Sequence, residues 1–154
     1  MTEQSVGGQL LREVPILSGD DSVRVAVRHL LDARVSALPV AGRDGRLAGV
    51  FGEREFITAI FPGYLGELKS AHFIRRALDD ELKRRRVCLD DPVARHAFTE
   101  HVGVGADFSD AELAETFLHH RVSVIPVLDD DRRVMGIITR RDFFRALAER
   151  VLAS

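Results

Sequence analysis

Two short stretches of the sequence are nearly the same, and they decide how the rest of the chain is interpreted. Residues 34–40 read RVSALPV and residues 121–127 read RVSVIPV, an offset of 87 residues. With that offset and no gap, eleven of the twenty-seven positions from 34 to 60 are identical to their counterparts, and most of the others exchange one apolar residue for another. The chain therefore contains an internal repeat, and repeats are the feature that most constrains an architecture.

Each copy of the repeat spans about 50 residues and predicts the same series of elements. After an initial strand, apolar residues at helical spacing follow Ser22 in the first copy and Ser109 in the second, and both serines are suitable N-caps. A short apolar strand, a turn, a second strand and a second helix follow, and the second helix begins near Glu53 or Arg140. We therefore predict a first repeat 11–61, an insertion 62–97 and a second repeat 98–154, with residues 1–10 as a short N-terminal extension.

Neither copy is large enough to bury a core comfortably by itself. Two copies packed through their sheets would each bury the apolar face of the other. The predicted fold class is therefore α/β (α+β), with two β-α-β-β-α repeats related by a pseudo-twofold axis and a helical insertion between them.

The composition is that of an ordinary globular protein. The 154 residues include 22 basic and 24 acidic residues and give a net charge of −2, which provides no reason to expect nucleic acid or an anionic membrane as a partner. No apolar run approaches the roughly 20 residues that span a bilayer, and the first residues lack the pattern of a secretory signal, so we expect a cytoplasmic protein. The single cysteine, Cys88, excludes an intramolecular disulfide.

The motifs of the two copies resemble those of the CBS domain family. The RVSxxPV stretch, a turn, and then residues 136–142, which read GIITRRD before a helix, are similar to the family's pattern. Two copies in tandem resemble a CBS pair, or Bateman module. The resemblance implies a regulatory binding module rather than an enzyme, with no required cofactor. It also implies adenosine-containing ligands (AMP, ADP, ATP or S-adenosylmethionine) in clefts between the copies, and a homodimer in which four copies form a disc.

The second copy carries the main candidate ligand-binding residues, which are Thr139, Arg140, Arg141 and Asp142. In the family, a carboxylate at the position of Asp142 accepts hydrogen bonds from the two ribose hydroxyls, and two carboxylate oxygens suit two adjacent donors. Thr139 begins a helix whose free N–H groups favour a phosphate, and Arg140 and Arg141 are candidates for further phosphate contacts. Thr139 and Asp142 also have the spacing of a helix-capping box, so capping is the alternative role, and both roles can coexist.

The resemblance implies that the first copy completes this site. The residues carried over are Ser36 and Ala37 in the RVSALPV stretch and Pro15 and Ile16 upstream, where apolar atoms would enclose the base and main-chain groups would bind its edge. The alternative for Ser36 is a hydrogen bond to nearby backbone at the strand end. The alternative for Pro15 and Ile16 is core packing, which we favour for the Ile16 side chain.

The equivalent site of the first copy departs from the family pattern. Gly52 stands in place of Thr or Ser and offers no hydroxyl, and Glu55 stands in place of Asp and carries its carboxylate one methylene farther out. That displacement matters where two hydroxyls must be held at about 2.7 Å. The other members of this degenerate second site are Val104, Ser123 and Val124. We therefore predict one competent nucleotide site per chain, the site that uses Asp142.

The insertion 62–97 supports an alternative function. Apolar residues from Leu65 to Leu82 predict a partly amphipathic helix to about Arg86, with acidic residues four positions before basic ones, as in i,i+4 ion pairs. A solvated face is therefore favoured over nucleic-acid binding. The alternative to a ligand sensor is a ligand-free dimerisation or protein-interaction scaffold that docks an unknown protein partner on this helix.

The sequence offers no further chemical site. The six histidines show no metal-ligand spacing, so we expect each of them at the surface and predict no metal site. No catalytic motif is present, and an enzyme is the function that we least expect.

Overall fold

The computed structural model describes residues 6–61 and 86–154. The first repeat contains β1 (Leu17–Ser18), α1 (Val23–Ala33), β2 (Ala37–Ala41), β3 (Leu47–Gly52) and α2 (Glu53–Ile60). The second repeat contains β4 (Val104–Gly105), α3 (Asp110–His120), β5 (Val124–Leu128), β6 (Val134–Thr139) and α4 (Arg140–Ala153). Both repeats thus confirm the predicted β-α-β-β-α order. None of the helices in these two ranges combines the length and the apolar character needed to cross a membrane.

The two repeats form two three-stranded sheets with the same topology, in the orders β1-β2-β3 and β4-β5-β6. In each sheet the short first strand is parallel to the middle strand, and the last two strands are antiparallel. The registers are equivalent: Leu38 lies opposite Phe51, and Ile125 lies opposite Ile138. The mixed α/β fold class and the internal symmetry read from the sequence are confirmed.

In each repeat, a serine side chain caps the start of the first helix, and an arginine in the left-handed backbone conformation ends it. Ser22 Oγ accepts a hydrogen bond from the Val25 N–H at 3.2 Å, and Ser109 Oγ accepts one from the Glu112 N–H at 3.1 Å, so both predicted N-caps are confirmed. Arg34 and Arg121 then end these helices with φ of 55° and 53°. This left-handed conformation turns the chain out of the helix and into the middle strand.

Each repeat has its own apolar core, and a third cluster joins them. Ala37 of β2, Val124 of β5 and Ile137 of β6 are buried against one another where the two sheets meet. At the same junction, Ser36 Oγ donates to Ser123 Oγ at 2.7 Å. Because these two serines are equivalent positions of the repeat, their contact places them on the pseudo-twofold axis.

The chain segment that precedes each repeat packs on the other repeat. We call residues Val6–Arg12 the N-terminal segment; its Val6 and Leu10 pack against the core of the second repeat. In the same way, Val93 is fully buried in the core of the first repeat. The two repeats are therefore held together by crossed segments as well as by their sheets.

The predicted helix of the insertion falls mostly on residues 62–85, which lie outside the described residues. The described end of the insertion contains two short 3₁₀ turns, Arg86–Asp90 and Val93–Arg95, rather than α-helix. Cys88, in the first of them, is buried against Ala59 and Ile60 of α2. This end of the insertion is thus integrated into the first repeat.

Candidate ligand-binding cleft

A cleft of about 1160 Å³ lies between the two repeats and opens to solvent. Its apolar wall consists mainly of α1 and α2 side chains. Its polar and charged lining comes from both repeats and from the N-terminal segment, and consists of Arg12, Arg34, Ser36, Glu53, Ser123, Thr139, Arg140, Arg141 and Asp142. The cleft therefore brings together five of the eight residues predicted for the main site, which are Ser36, Thr139, Arg140, Arg141 and Asp142.

Thr139 is the N-cap of α4, the 14-residue helix that begins at the cleft. Its hydroxyl oxygen accepts a hydrogen bond from the Asp142 N–H at 3.1 Å, so the capping role considered for this residue is present. Arg140 and Arg141 follow in the first turn and are exposed at the cleft. The first turn of α4 thus joins two cationic side chains to the positive end of the helix dipole, an arrangement that favours anions. Its Arg140 and Asp142 N–H groups are already bonded, to the Ser123 carbonyl and to Thr139 Oγ1.

The Asp142 carboxylate is bound by the guanidinium of Arg12. Arg12 Nε lies 2.6 Å from Asp142 Oδ2, and Arg12 Nη2 lies 3.0 Å from Asp142 Oδ1. The two side chains are 44% and 21% exposed, respectively. Paired donors of this kind make one of the strongest side-chain hydrogen-bonding arrangements. Arg12, which contacts both carboxylate oxygens of Asp142, was not among the site residues predicted from the sequence.

One residue in the sequence, Gly136, indicates that another segment of the chain passes close to β6. Gly136 lies inside β6, and a Cβ atom at this position would overlap the carbonyl oxygen of Arg12. Glycine inside a strand is a mark of close backbone approach. The Gly136 position therefore indicates that some segment crosses β6, although it does not indicate which one.

The serine pair and the neighbouring alanine occupy different surroundings. Ser36 and Ser123 line the cleft and are bonded to each other, so the nearby backbone considered as the partner of Ser36 was the wrong partner. Ala37 is buried between the sheets and does not line the cleft. The predicted contact of Ala37 with a base has no support from this geometry.

Pro15 and Ile16 lie apart from the cleft. Both residues are exposed and neither lines the cleft. The core packing that we favoured for Ile16 is wrong, because this side chain is 45% exposed. It precedes β1 by one residue, and the alternation of the strand turns Leu17 inward instead.

The degenerate site of the first repeat does not form a second version of the Asp142 arrangement. Glu55 Oε1 accepts a hydrogen bond from the Gly52 N–H at 2.9 Å, so the carboxylate caps its own helix. Burial raises the pKa of the Glu55 carboxyl, and the hydrogen bond from Gly52 partly offsets that effect. Gly52 itself has no room for a side chain, because a Cβ atom would overlap the Ser36 carbonyl oxygen.

The other residues assigned to the degenerate site are divided between core and cleft. Val104 and Val124 are buried and do not line the cleft, whereas Ser123 does. Glu53, which the sequence did not single out, lines the cleft in the first turn of α2. The structure thus places Glu53, rather than Glu55, as the acidic residue that the first repeat contributes.

Of the five histidines in the described residues, His29, His96 and His101 are only partly exposed, so the expectation that every histidine lies at the surface is wrong for these three. His96 Nε2 is 2.9 Å from Asp91 Oδ2, and its side chain is largely buried. His101 is half-buried, and burial lowers the pKa of its imidazole, with the positive charge of Arg132 acting in the same direction. Within residues 6–61 and 86–154, no group of three or more His, Cys, Asp or Glu side chains is arranged to hold a metal ion.

Two solved structures with bound adenosine derivatives have the same fold as this chain. One is described as CBSX2 in complex with AMP, with 18% sequence identity, a TM-score of 0.67, and coverage of 93% of this chain and 96% of that one. The other is described as the CBS domain pair of protein MJ0100 in complex with 5′-methylthioadenosine and S-adenosyl-L-methionine, with 19% identity, a TM-score of 0.69, and coverage of 94% and 96%.

The sequence also resembles part of a longer protein. It is 24% identical over 136 residues to an inosine-5′-monophosphate dehydrogenase from Methanocaldococcus jannaschii, and the match covers 88% of this chain. The chain spans only 22% of the length of that dehydrogenase. The family model of the CBS domain matches residues 8–62 and 97–149, which together are more than half of the chain. This chain therefore belongs to the CBS domain family and carries two CBS domains in tandem.

Proposed function

We propose that the protein is a regulatory module, not an enzyme, that binds an adenosine-containing ligand in the cleft between its two CBS domains. AMP, ADP, ATP and S-adenosylmethionine are the candidate ligands. The observation that carries this proposal is the position of Asp142 and Thr139 in the first turn of α4, at the wall of a cleft built from both repeats. The ligands described for the two structural neighbours support the same class of molecule.

Each part of such a ligand has a matching part of the cleft. The Asp142 carboxylate offers two acceptor oxygens to the vicinal hydroxyls of ribose. The N-terminus of α4, with the side chains of Arg140 and Arg141, provides positive charge for a phosphate. The apolar wall of the cleft, which includes Val35 and Phe56, provides a surface for the base. We assign no required cofactor to the protein.

We propose one such site per chain. The equivalent carboxylate of the first repeat, Glu55, is bonded to Gly52 N–H and does not line the cleft. Glu55 therefore does not hold a second ribose in the way that we propose for Asp142.

We also propose that two copies of the chain associate through their helices. Leu31 of α1 and Leu118 of α3 are equivalent positions, and they are 71% and 81% exposed. Ile57 of α2 and Phe144 of α4 form a second exposed equivalent pair. This apolar face is itself pseudo-twofold symmetric, as a self-complementary dimer interface requires. Three residues of this face also line the cleft, namely Leu31, Ile57 and Phe144. A second copy bound to this face would therefore cover the mouth of the cleft, and ligand binding would affect the association of the two copies.

A thermal-shift panel with AMP, ADP, ATP and S-adenosylmethionine tests the proposed function. A ligand present at 100 times its Kd should stabilise the fold by about 2.7 kcal/mol. Asp142→Asn should remove the response, and Glu55→Gln, at the equivalent position of the first repeat, should keep it. Wild-type protein that responds to none of the four compounds would contradict the proposal.

One observation favours the second candidate function, a ligand-free dimerisation or protein-interaction scaffold. The acceptor oxygens of Asp142 already have the guanidinium of Arg12 as their partner. A scaffold would remain a dimer in size-exclusion chromatography with light scattering and would show no thermal shift with any panel compound. The two functions are therefore separated by the same panel.

A further inference from the structure

We propose that Arg12 competes with the ligand for Asp142, so that the N-terminal segment acts as a built-in competitive inhibitor of the cleft. This inference rests on the proposed function, because it concerns the carboxylate assigned to the ribose. Each Asp142 oxygen accepts one N–H group of the Arg12 guanidinium, at 2.6 Å and 3.0 Å. A vicinal diol would use the same two oxygens. Each oxygen keeps a second lone pair, so the competition is for the edge of the carboxylate that the guanidinium covers: a diol that binds side by side on that edge requires the guanidinium to move away.

The backbone of the N-terminal segment is held in place independently of this ion pair. Arg12 N–H donates to the Ile137 carbonyl at 2.8 Å, and Ile137 N–H donates to the Arg12 carbonyl at 2.9 Å. Farther upstream, the Val6 and Gly7 N–H groups donate to the two carboxylate oxygens of Asp110 at 2.8 Å and 2.7 Å. These contacts keep the Arg12 side chain beside Asp142, so its local concentration there stays high.

The guanidinium can leave Asp142 without unfolding the segment. The Arg12 side chain is 44% exposed and is held by side-chain contacts that differ from the backbone bonds to Ile137. A partly exposed ion pair changes an equilibrium constant by up to about fivefold, and the bidentate geometry of this one places it at the upper end of that range. The competition is therefore strong enough to lower ligand affinity and weak enough to be overcome by the ligand.

The first repeat has no equivalent of this arrangement. Phe98 occupies the structural position that corresponds to Arg12, because its backbone pairs with Val50 as that of Arg12 pairs with Ile137, and the Phe98 side chain carries no charge. The acidic side chain of that repeat, Glu55, is bonded to Gly52. The competition is thus confined to the end of the cleft that we assign to the ligand.

Isothermal titration calorimetry with adenosine tests this inference, because adenosine has the diol but no phosphate for Arg12 to attract. We expect Arg12→Gln to bind adenosine about fivefold more tightly than the wild type. Arg43→Gln is the matched control, because it removes one positive charge from a side chain that is 93% exposed and lies outside the cleft; its affinity should equal that of the wild type. Equal or weaker binding by Arg12→Gln would overturn the competition and would leave Arg12 as a neutral or positioning residue.

Titrations of the wild type at low and high NaCl give a second test that requires no substitution. Salt screens the attraction between Arg12 and Asp142, whereas adenosine carries no charge. Competition therefore predicts tighter adenosine binding as NaCl rises, and a smaller change in Arg12→Gln. The opposite trend, or the same trend in both proteins, would overturn it.

The two proposals fail in different ways. If neither the wild type nor Arg12→Gln binds adenosine or any of the four panel compounds, the proposed function is overturned, and the competition with it. If both bind equally well and Asp142→Asn does not bind, the proposed function stands and the competition alone is overturned.

Discussion

Asp142 and Glu55 are equivalent residues whose carboxylates have different partners. Glu55 is long enough to return to the N–H of Gly52, at the start of its own helix. Asp142 is one methylene shorter and pairs instead with Arg12 from the crossing segment. The sequence predicted that the extra methylene would matter by displacing the charge outward. In the structure the extra methylene instead lets the Glu55 carboxylate reach back and accept a hydrogen bond from the Gly52 N–H, at the start of its own helix.

The burial of Glu55 predicts a specific pH dependence of stability. Because burial raises the pKa of its carboxyl, the folded state binds the proton more tightly than the unfolded state. Protonated Glu55 therefore adds to the free energy of unfolding at low pH, and this contribution is lost as pH rises through the pKa of Glu55 in the folded state. We expect the free energy of unfolding of the wild type, relative to that of Glu55→Gln, to fall between about pH 4 and pH 7. Urea denaturation at both pH values measures this, and a relative rise would contradict it.

At the residue scale, hydrogen bonds between residues close in sequence could be predicted, whereas the ion pair between Arg12 and Asp142 could not. The caps at Ser22, Ser109 and Thr139 follow from side chains that bond to backbone within three residues. The partner of Asp142 lies 130 residues away in the chain, so no local pattern contains it. The exposure of Ile16 was also missed, because its place before the strand depends on where β1 begins.

At the scale of elements, the crossed segments explain why both repeats have a glycine in their last strand. Gly49 and Gly136 are equivalent, and a Cβ atom at either position would collide with the backbone of the crossing segment, at Phe98 or at Arg12. The strand and helix order could be predicted because each copy carries its own periodicity. The crossing could not, because it joins segments that have no shared pattern.

Gly136→Ala should therefore displace the N-terminal segment from β6. The new methyl group would break the paired hydrogen bonds between Arg12 and Ile137, and we expect a loss of about 1–3 kcal/mol in the free energy of unfolding. Limited proteolysis should also show faster cleavage around Arg12. Gly42→Ala is the control, since the nearest atom to its Cβ would be the end of the Asp44 side chain at 3.2 Å. Equal stability of the two variants would contradict this account of the crossing.

At the scale of the whole molecule, the symmetry of the repeat extends from the core to the surface. Ser36 and Ser123 meet on the pseudo-twofold axis, and the exposed apolar residues of the helices are repeated at equivalent positions. The sequence predicted the core because buried strands keep their apolar residues. It did not show which of the remaining apolar residues stay exposed, since that depends on how the two repeats are packed.

Leu118→Glu should dissociate the proposed dimer. A carboxylate at a position that is 81% exposed in the single chain costs little to its fold, but it would be buried in an interface between copies. We expect size-exclusion chromatography with light scattering to give about twice the chain mass of 17.1 kDa for the wild type and the single-chain mass for the variant. Met135→Glu, which adds the same charge on β6, should stay dimeric. A wild type that elutes as a monomer at micromolar concentration would contradict the dimer.

We propose that Asp142 forms the single ligand site of the chain, and a calorimetric titration tests this claim most directly. The titrant is the panel compound that raises Tm most, and the proteins are the wild type, Asp142→Asn and Glu55→Gln. We predict one ligand per chain for the wild type and for Glu55→Gln, and no measurable binding for Asp142→Asn. Two ligands per chain, or unchanged binding by Asp142→Asn, would contradict the claim.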